Sequence, residues 1–168
     1  IDFNKLSNLS PYHKDSISSI SIIGLGYVGL TLAITLADKG FEVEGLDINK
    51  KIINDLKDCK THIVEPGIEN YLKGLKETKK LKFNLVENIN YSDAFVIAVG
   101  TDVINEKLDD KALKGALQTI AKVYDENSHI FLRSTVPVGT SRSLISYFKE
   151  LRPDLDEAQI NLSFTPER

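Results

Sequence analysis

The chain has 168 residues and a formal net charge of −3, from 21 Lys and Arg against 24 Asp and Glu. That length suits one ordinary domain and is short for a two-domain metabolic enzyme. At 42% hydrophobic and 27% charged it reads as a soluble globular protein with a real core, not as a disordered, collagenous or disulfide-rich chain. The even charge mixture gives no electrostatic reason to expect nucleic acid or an anionic membrane as a partner. Cys59 is the single cysteine, which excludes an internal disulfide and a cysteine-based metal site and fits a cytoplasmic protein. No apolar run reaches the ~18 residues a membrane span needs, and no signal peptide pattern is visible. The chain opens on Ile1, has no Met and stops at Thr165-Pro166-Glu167-Arg168. It reads as a domain trimmed from a longer protein.

Residues 1–18 are polar, interrupted by Pro11, and read as a loose N-terminal arm or at most a short helix. Ile20, Ile22 and Ile23 form a short apolar run that ends in glycine, a buried strand. Val28, Leu32 and Leu36 then recur at i, i+4 and i+8, with Leu30, Ala33, Ile34 and Ala37 on other faces, a helix stopping at Gly40. Phe41 to Leu46 is a second strand, and Asn49 caps a short helix carrying Ile52, Ile53 and Leu56. A helix starts at Pro66, a strand spans Leu81 to Val86, and Ala94 to Val99 is a central strand. A helix over Lys111 to Tyr124, a strand at Ile130 to Leu132, a helix over Thr140 to Leu151 and a strand at Ile160 to Phe164 follow. Strands alternating with helices predict an α/β fold: a doubly wound, mostly parallel sheet with helices on both faces, in one domain over 19–168.

Gly24-Leu25-Gly26-Tyr27-Val28-Gly29 is a G-x-G-x-x-G placed between a strand and a helix. In that context Gly24 allows a tight turn, Gly26 lets backbone approach a diphosphate, and Gly29 lets helix and strand pack closely. The diphosphate would rest on the helix N-terminus, where unpaired N–H groups and the positive dipole end favour anions. Asp47 ends the second strand, 18 residues after Gly29. A carboxylate there can accept both adenosine ribose hydroxyls and would repel a 2′-phosphate, which points to NAD. The competing reading is an Asx turn into the next helix. Lys50 and Lys51 read as a solvated helix face.

Three more strand ends carry polar groups: Gly100-Thr101-Asp102, Arg133-Ser134-Thr135 and Thr165-Pro166-Glu167-Arg168. Ligands of such sheets bind beyond the carboxyl ends of the strands, so these groups would converge on one crevice. Each alone is also an ordinary loop. Cys59 sits in a polar helix tail and reads as a surface or half-buried thiol. His13, His62 and His129 lack partners at metal-ligand spacing, so no metal is expected.

Taken together the phrases resemble the N-terminal NAD-binding domain of the nucleotide-sugar 6-dehydrogenase family, over roughly residues 19–168. They are Gly24 to Leu30 with its Tyr27-Val28 pair, Glu65-Pro66-Gly67, Ser134-Thr135-Val136-Pro137-Val138-Gly139-Thr140 and Pro166-Glu167. The resemblance implies a Rossmann-type fold and oxidation of a UDP-sugar C6 alcohol to a carboxylate with two NAD⁺, serving cell-surface polysaccharide precursors. It implies that a cysteine and a lysine beyond Arg168 complete the chemistry, and that this chain alone is inactive. Thr135 and Glu167 match positions that hold and activate water; Gly24, Gly26, Tyr27, Val28, Gly29, Asp47, Gly100, Thr101, Ser134 and Thr135 match the cofactor side. The Pro-Glu-Arg form leans to UDP-N-acetylmannosamine or glucosamine over UDP-glucose, and family members are usually dimers or larger. Asp102 departs from a frequent proline, and Thr31 from a proline or other small residue. Two other readings stay open: the cofactor domain of a single-step hydroxyacid or sugar-phosphate dehydrogenase, and a non-enzymatic NAD-sensing domain.

Overall fold

A computed structural model describes residues 17–65, 67–101, 103–104 and 107–166. The arm up to Ser16, Pro66, Asp102, Glu167 and Arg168 lie outside the described residues. Strand β1 (Ser19–Ile23) leads through the glycine turn into helix α1 (Tyr27–Asp38), then β2 (Glu42–Asp47), α2 (Lys50–Lys57), α3 (Ile68–Thr78) and β3 (Leu81–Leu85). The second half runs β4 (Ala94–Ile97), a hairpin of β5 (Val103–Ile104) and β6 (Lys107–Leu108), α4 (Lys111–Ile120), β7 (His129–Leu132), α5 (Thr140–Leu151) and β8 (Leu162–Phe164). Six strands form one all-parallel sheet in the order β3-β2-β1-β4-β7-β8. The order reverses at β1, so the crevice between the β1 and β4 ends is the switch point where such sheets take ligands.

The pleat sends alternate residues to opposite faces. Ile20, Ile22, Val43, Leu81, Phe83, Ala94 and Val96 join α1, α2 and α3 in one core. Ile23, Leu46, Phe95, Ile97, Ile130 and Leu132 join α4 and α5 in another. At the amino edge the Asp93 carboxylate accepts from the backbone N–H and hydroxyl of both Ser18 and Ser19, at 2.8–2.9 Å, and fixes the start of β1 beside β4.

Helix α1 is buried on much of its circumference, as its sequence predicts: Gly29, Leu30, Ala33, Ile34 and Ala37 are buried, and Val28, Leu32 and Leu36 half buried beside them. Other details differ from the sequence expectation. Helix α4 ends at Ile120, yet Tyr124 is buried beyond it, with its hydroxyl donating to the Gln159 carbonyl at 2.9 Å. Strand β8 begins at Leu162, two residues late, because Ile160 closes a short turn of 3₁₀ helix. Cys59 is buried, with φ +58°, just past α2 and packed into the first core. The turn folds its side chain inward although its neighbours Asp58 and Lys60 are polar and exposed.

Candidate functional site

The turn from β1 to α1 is fixed by two close approaches. A Cβ on Gly24 would stand 2.8 Å from the Ala98 carbonyl oxygen, and φ there is +93°. A Cβ on Gly29 would stand 1.8 Å from the Gly24 carbonyl oxygen. Neither position tolerates a side chain. A Cβ on Gly26 would meet nothing within 4 Å, although the residue keeps φ at −66°. The protein's own packing therefore does not demand glycine at Gly26, and the open space above it suits close approach of a ligand to backbone.

Gly26 is also the N-cap of α1, and no side chain caps the helix. Its first turn presents backbone N–H groups and the positive dipole end to whatever sits there. Tyr27, at the first helical position, is exposed and its hydroxyl reaches Glu65 Oε2 at 3.4 Å. Val28 is half buried and Gly29 fully buried beneath it.

Asp47 ends β2 beside this turn. Its Oδ2 accepts from the Leu25 N–H at 2.9 Å and its Oδ1 from the Asn49 N–H at 2.8 Å. The Asx turn is thus present, and the same carboxylate also holds the glycine turn. A carboxylate offers about four lone-pair sites, so acceptor capacity remains on both oxygens. Lys51 is paired with Asp55 at 2.6 Å along the exposed face of α2.

The remaining strand ends are tied together. The Ser134 hydroxyl donates to the Val99 carbonyl at 2.7 Å, and the Thr101 hydroxyl to the Thr135 carbonyl at 2.9 Å. Arg133 Nη1 donates to the Thr165 carbonyl at 3.2 Å, and the Thr165 N–H to the Leu132 carbonyl at 2.9 Å. Ser134 is buried and serves as a tie between loops, whereas Thr135 and Gly100 are exposed at the edge. Gly24, Gly26, Asp47 and Gly100 line one cavity of about 560 Å³. Thr101, Ser134 and Thr135 lie outside that lining, along the next strand ends.

The cavity has further walls that the motifs did not announce. Ile48, which is 84% exposed, and Val86 stand on one side; Lys111, Ala112, Gly115, Ala116 and Thr119 of α4 form the other. Ala112, Gly115, Ala116 and Thr119 follow a spacing of three, one and three, one face of a helix. That small-residue face was present in the sequence, hidden beside the larger Leu113, Leu117 and Ile120 stripe. A mostly apolar cavity next to Asp47 and an uncapped helix N-terminus suits a purine, its ribose and a diphosphate. The residues present fit an adenine dinucleotide.

A model of the UDP-glucose/GDP-mannose dehydrogenase family NAD binding domain matches residues 18–168. The chain belongs to this family. UDP-N-acetyl-D-mannosamine dehydrogenase of Pyrococcus horikoshii is 33% identical over 150 residues, covering 89% of this chain and 36% of that protein. The enzyme of the same name from Escherichia coli K12 is 33% identical over 163 residues, covering 91% and 38%. Among solved structures, UDP-D-ManNAc dehydrogenase from P. horikoshii superposes with a TM-score of 0.84 at 32% identity, over 89% of this chain and 36% of that one. A ternary complex of GDP-mannose dehydrogenase from Pseudomonas aeruginosa superposes with a TM-score of 0.79 at 30% identity, over 89% and 36%. The chain spans little more than a third of the length of the curated relatives it matches. It carries the NAD-binding domain of a family of NAD-dependent nucleotide-sugar dehydrogenases. No described helix is long and apolar enough to cross a membrane.

Proposed function

We propose that residues 19–168 form the cofactor half of a dehydrogenase that oxidises the C6 alcohol of a UDP-sugar, most readily a UDP-N-acetylhexosamine, to the carboxylate with two NAD⁺. The observation that carries this reading is the pairing of an uncapped α1 N-terminus with the Asp47 carboxylate at one end of the 560 Å³ cavity. NAD⁺, when bound, supplies the hydride acceptor. The backbone of Gly24, Gly26, Tyr27, Val28 and Gly29 cradles the diphosphate. Asp47 takes the adenosine ribose hydroxyls and excludes a 2′-phosphate. Ile48, Val86 and the small face of α4 line the part of the cavity that would hold the purine. Gly100, Thr101 and Ser134 shape the path to the nicotinamide half. Thr135, exposed at the end of β7, holds water there, and Glu167 takes its proton.

This reading makes the chain a binder and not a catalyst, since the Cys59 thiol is buried away from the cavity and the family's nucleophile lies in the other half. Residues 1–18 would be an arm outside the domain, and the whole enzyme a cytoplasmic homodimer or larger assembly with no nucleic-acid partner. Calorimetry checks the core of it. NAD⁺ binds the 168-residue chain with one site, NADP⁺ binds at least tenfold more weakly, and no UDP-sugar is oxidised. Binding of NADP⁺ as tight as NAD⁺ removes the role given to Asp47. A single-step oxidation by the whole enzyme would support the hydroxyacid or sugar-phosphate reading. Inactivity on every nucleotide sugar, with a partner's behaviour changed by NADH, would support the sensing one.

A further inference from the structure

Strand β3 is an outer strand of the sheet, and a pocket of about 290 Å³ opens on its free edge. Leu81, Lys82, Phe83 and Asn84 all line it, although neighbouring side chains of a strand point to opposite faces. The pocket therefore wraps the edge of the strand. The Val43 N–H donates to the Lys80 carbonyl at 2.8 Å, and along this parallel ladder Lys80, Lys82 and Asn84 turn their backbone groups towards β2. Leu81 and Phe83 turn theirs outward, where the sheet has no further strand. Such an edge is a template for an added strand. The pocket shares no residue with the 560 Å³ cavity at the carboxyl ends of the strands.

The walls select the kind of strand. Buried Leu56, Cys59, Leu72, Leu81 and Phe83 make an apolar floor, and exposed Lys57, Lys76 and Lys82 make the rim. No acidic residue is among those lining it. Lys76 Nζ donates to the Lys57 carbonyl at 3.1 Å, and Lys57 Nζ to Asn84 Oδ1 at 3.4 Å, so both have only neutral oxygens. Among the described residues none of the three lysines has a carboxylate partner. Three ammonium groups keep two such edges apart by repulsion and favour a strand of opposite charge. The geometry points to an extended acidic segment of a partner protein as the occupant of the β3 edge. It pairs with the outward backbone groups of Leu81 and Phe83, places one large apolar side chain in the pocket, and sets carboxylates against Lys57, Lys76 and Lys82. The inference is independent of which cofactor, sugar or reaction the enzyme serves.

Amide hydrogen exchange tests it, because strand pairing protects the Leu81 and Phe83 amides and contact with lysine side chains alone does not. The probe is a blocked peptide, Thr-Glu-Thr-Leu-Glu-Glu-Thr, which sets leucine between two glutamates on one face and a glutamate on the other. It is added to the 168-residue chain and to the polypeptide carried on past Arg168 to the relatives' length. With the peptide bound, exchange at Leu81 and Phe83 should slow about tenfold or more in both lengths. Binding should weaken with added salt, and roughly tenfold when Lys57→Gln and Lys76→Gln are combined. No protection by the acidic peptide overturns the inference. So does equal protection by the same peptide with lysine in place of each glutamate, or an affinity that the two lysine substitutions leave unchanged. Protection present without peptide also overturns it. Loss of that protection on deleting residues 1–16 assigns the edge to the arm, its restriction to the longer polypeptide assigns it to the downstream chain, and its rise with protein concentration assigns it to a second copy.

Discussion

Asp93 and Asp47 stand at opposite ends of the sheet, and both carboxylates accept backbone N–H groups. Asp93 Oδ2 takes four donors from Ser18 and Ser19, and Oδ1 a fifth contact from the Tyr91 hydroxyl at 3.4 Å. Asp47 takes one donor on each oxygen. The amino end is thus satisfied by its own chain and holds strands together. The carboxyl end keeps acceptors, helix N–H groups and open space above glycine for something else. Residue type does not show which carboxylate keeps acceptor capacity; the number of its partners does.

Glycine substitutions strain that comparison most. Gly29→Ala places a Cβ against the Gly24 carbonyl and should cost about 3 kcal/mol or more, lowering Tm by at least roughly 6 °C as read by thermal unfolding. Gly26→Ala, three residues earlier in the same phrase, should change stability by less than about 0.5 kcal/mol. If it also leaves NAD⁺ affinity untouched in calorimetry, the open space is not the ligand's. Asp47→Asn should weaken NAD⁺ ten- to a hundredfold, about 1.4–2.8 kcal/mol, and shrink the preference over NADP⁺. An unfolding loss larger than the binding loss would move Asp47 to the structural side.

Asp93→Asn should cost about 2 kcal/mol of stability and leave NAD⁺ binding unchanged, the reverse of Asp47→Asn. Its pH dependence has a definite sign. Burial raises the Asp93 pKa, but the backbone and hydroxyl donors of Ser19 and Ser18 outweigh it and hold it at about 2. An unfolded aspartate titrates near 3.9. The stabilisation is full above that value and is lost as pH falls through the folded value. The stability gap between the native chain and Asp93→Asn should therefore close between about pH 4 and pH 2. A constant gap across that window would show that the Asp93 charge does not carry the bond.

Much of the fold and of the site is legible in the sequence. The strand–glycine–helix phrase, Asp47 at the end of the next strand and the alternation of elements each leave a local mark, because backbone geometry and short-range sterics impose them. The missed walls of the cavity left weaker marks. Ile48 and Val86 are ordinary apolar residues until the chain brings them to one crevice. The α4 small face is masked by the stronger Leu113, Leu117 and Ile120 signal that drives burial.

By itself the sequence determined the parallel α/β fold, the dinucleotide turn and the family, since these rest on residues close together along the chain. Tertiary structure alone decided which carboxylate is saturated, which glycine has room above it, that Cys59 is buried, and that Leu36 and Phe131 line one groove. Those depend on partners far apart in the chain, such as Ser18 with Asp93 and Leu36 beside Phe131, and no local pattern records them.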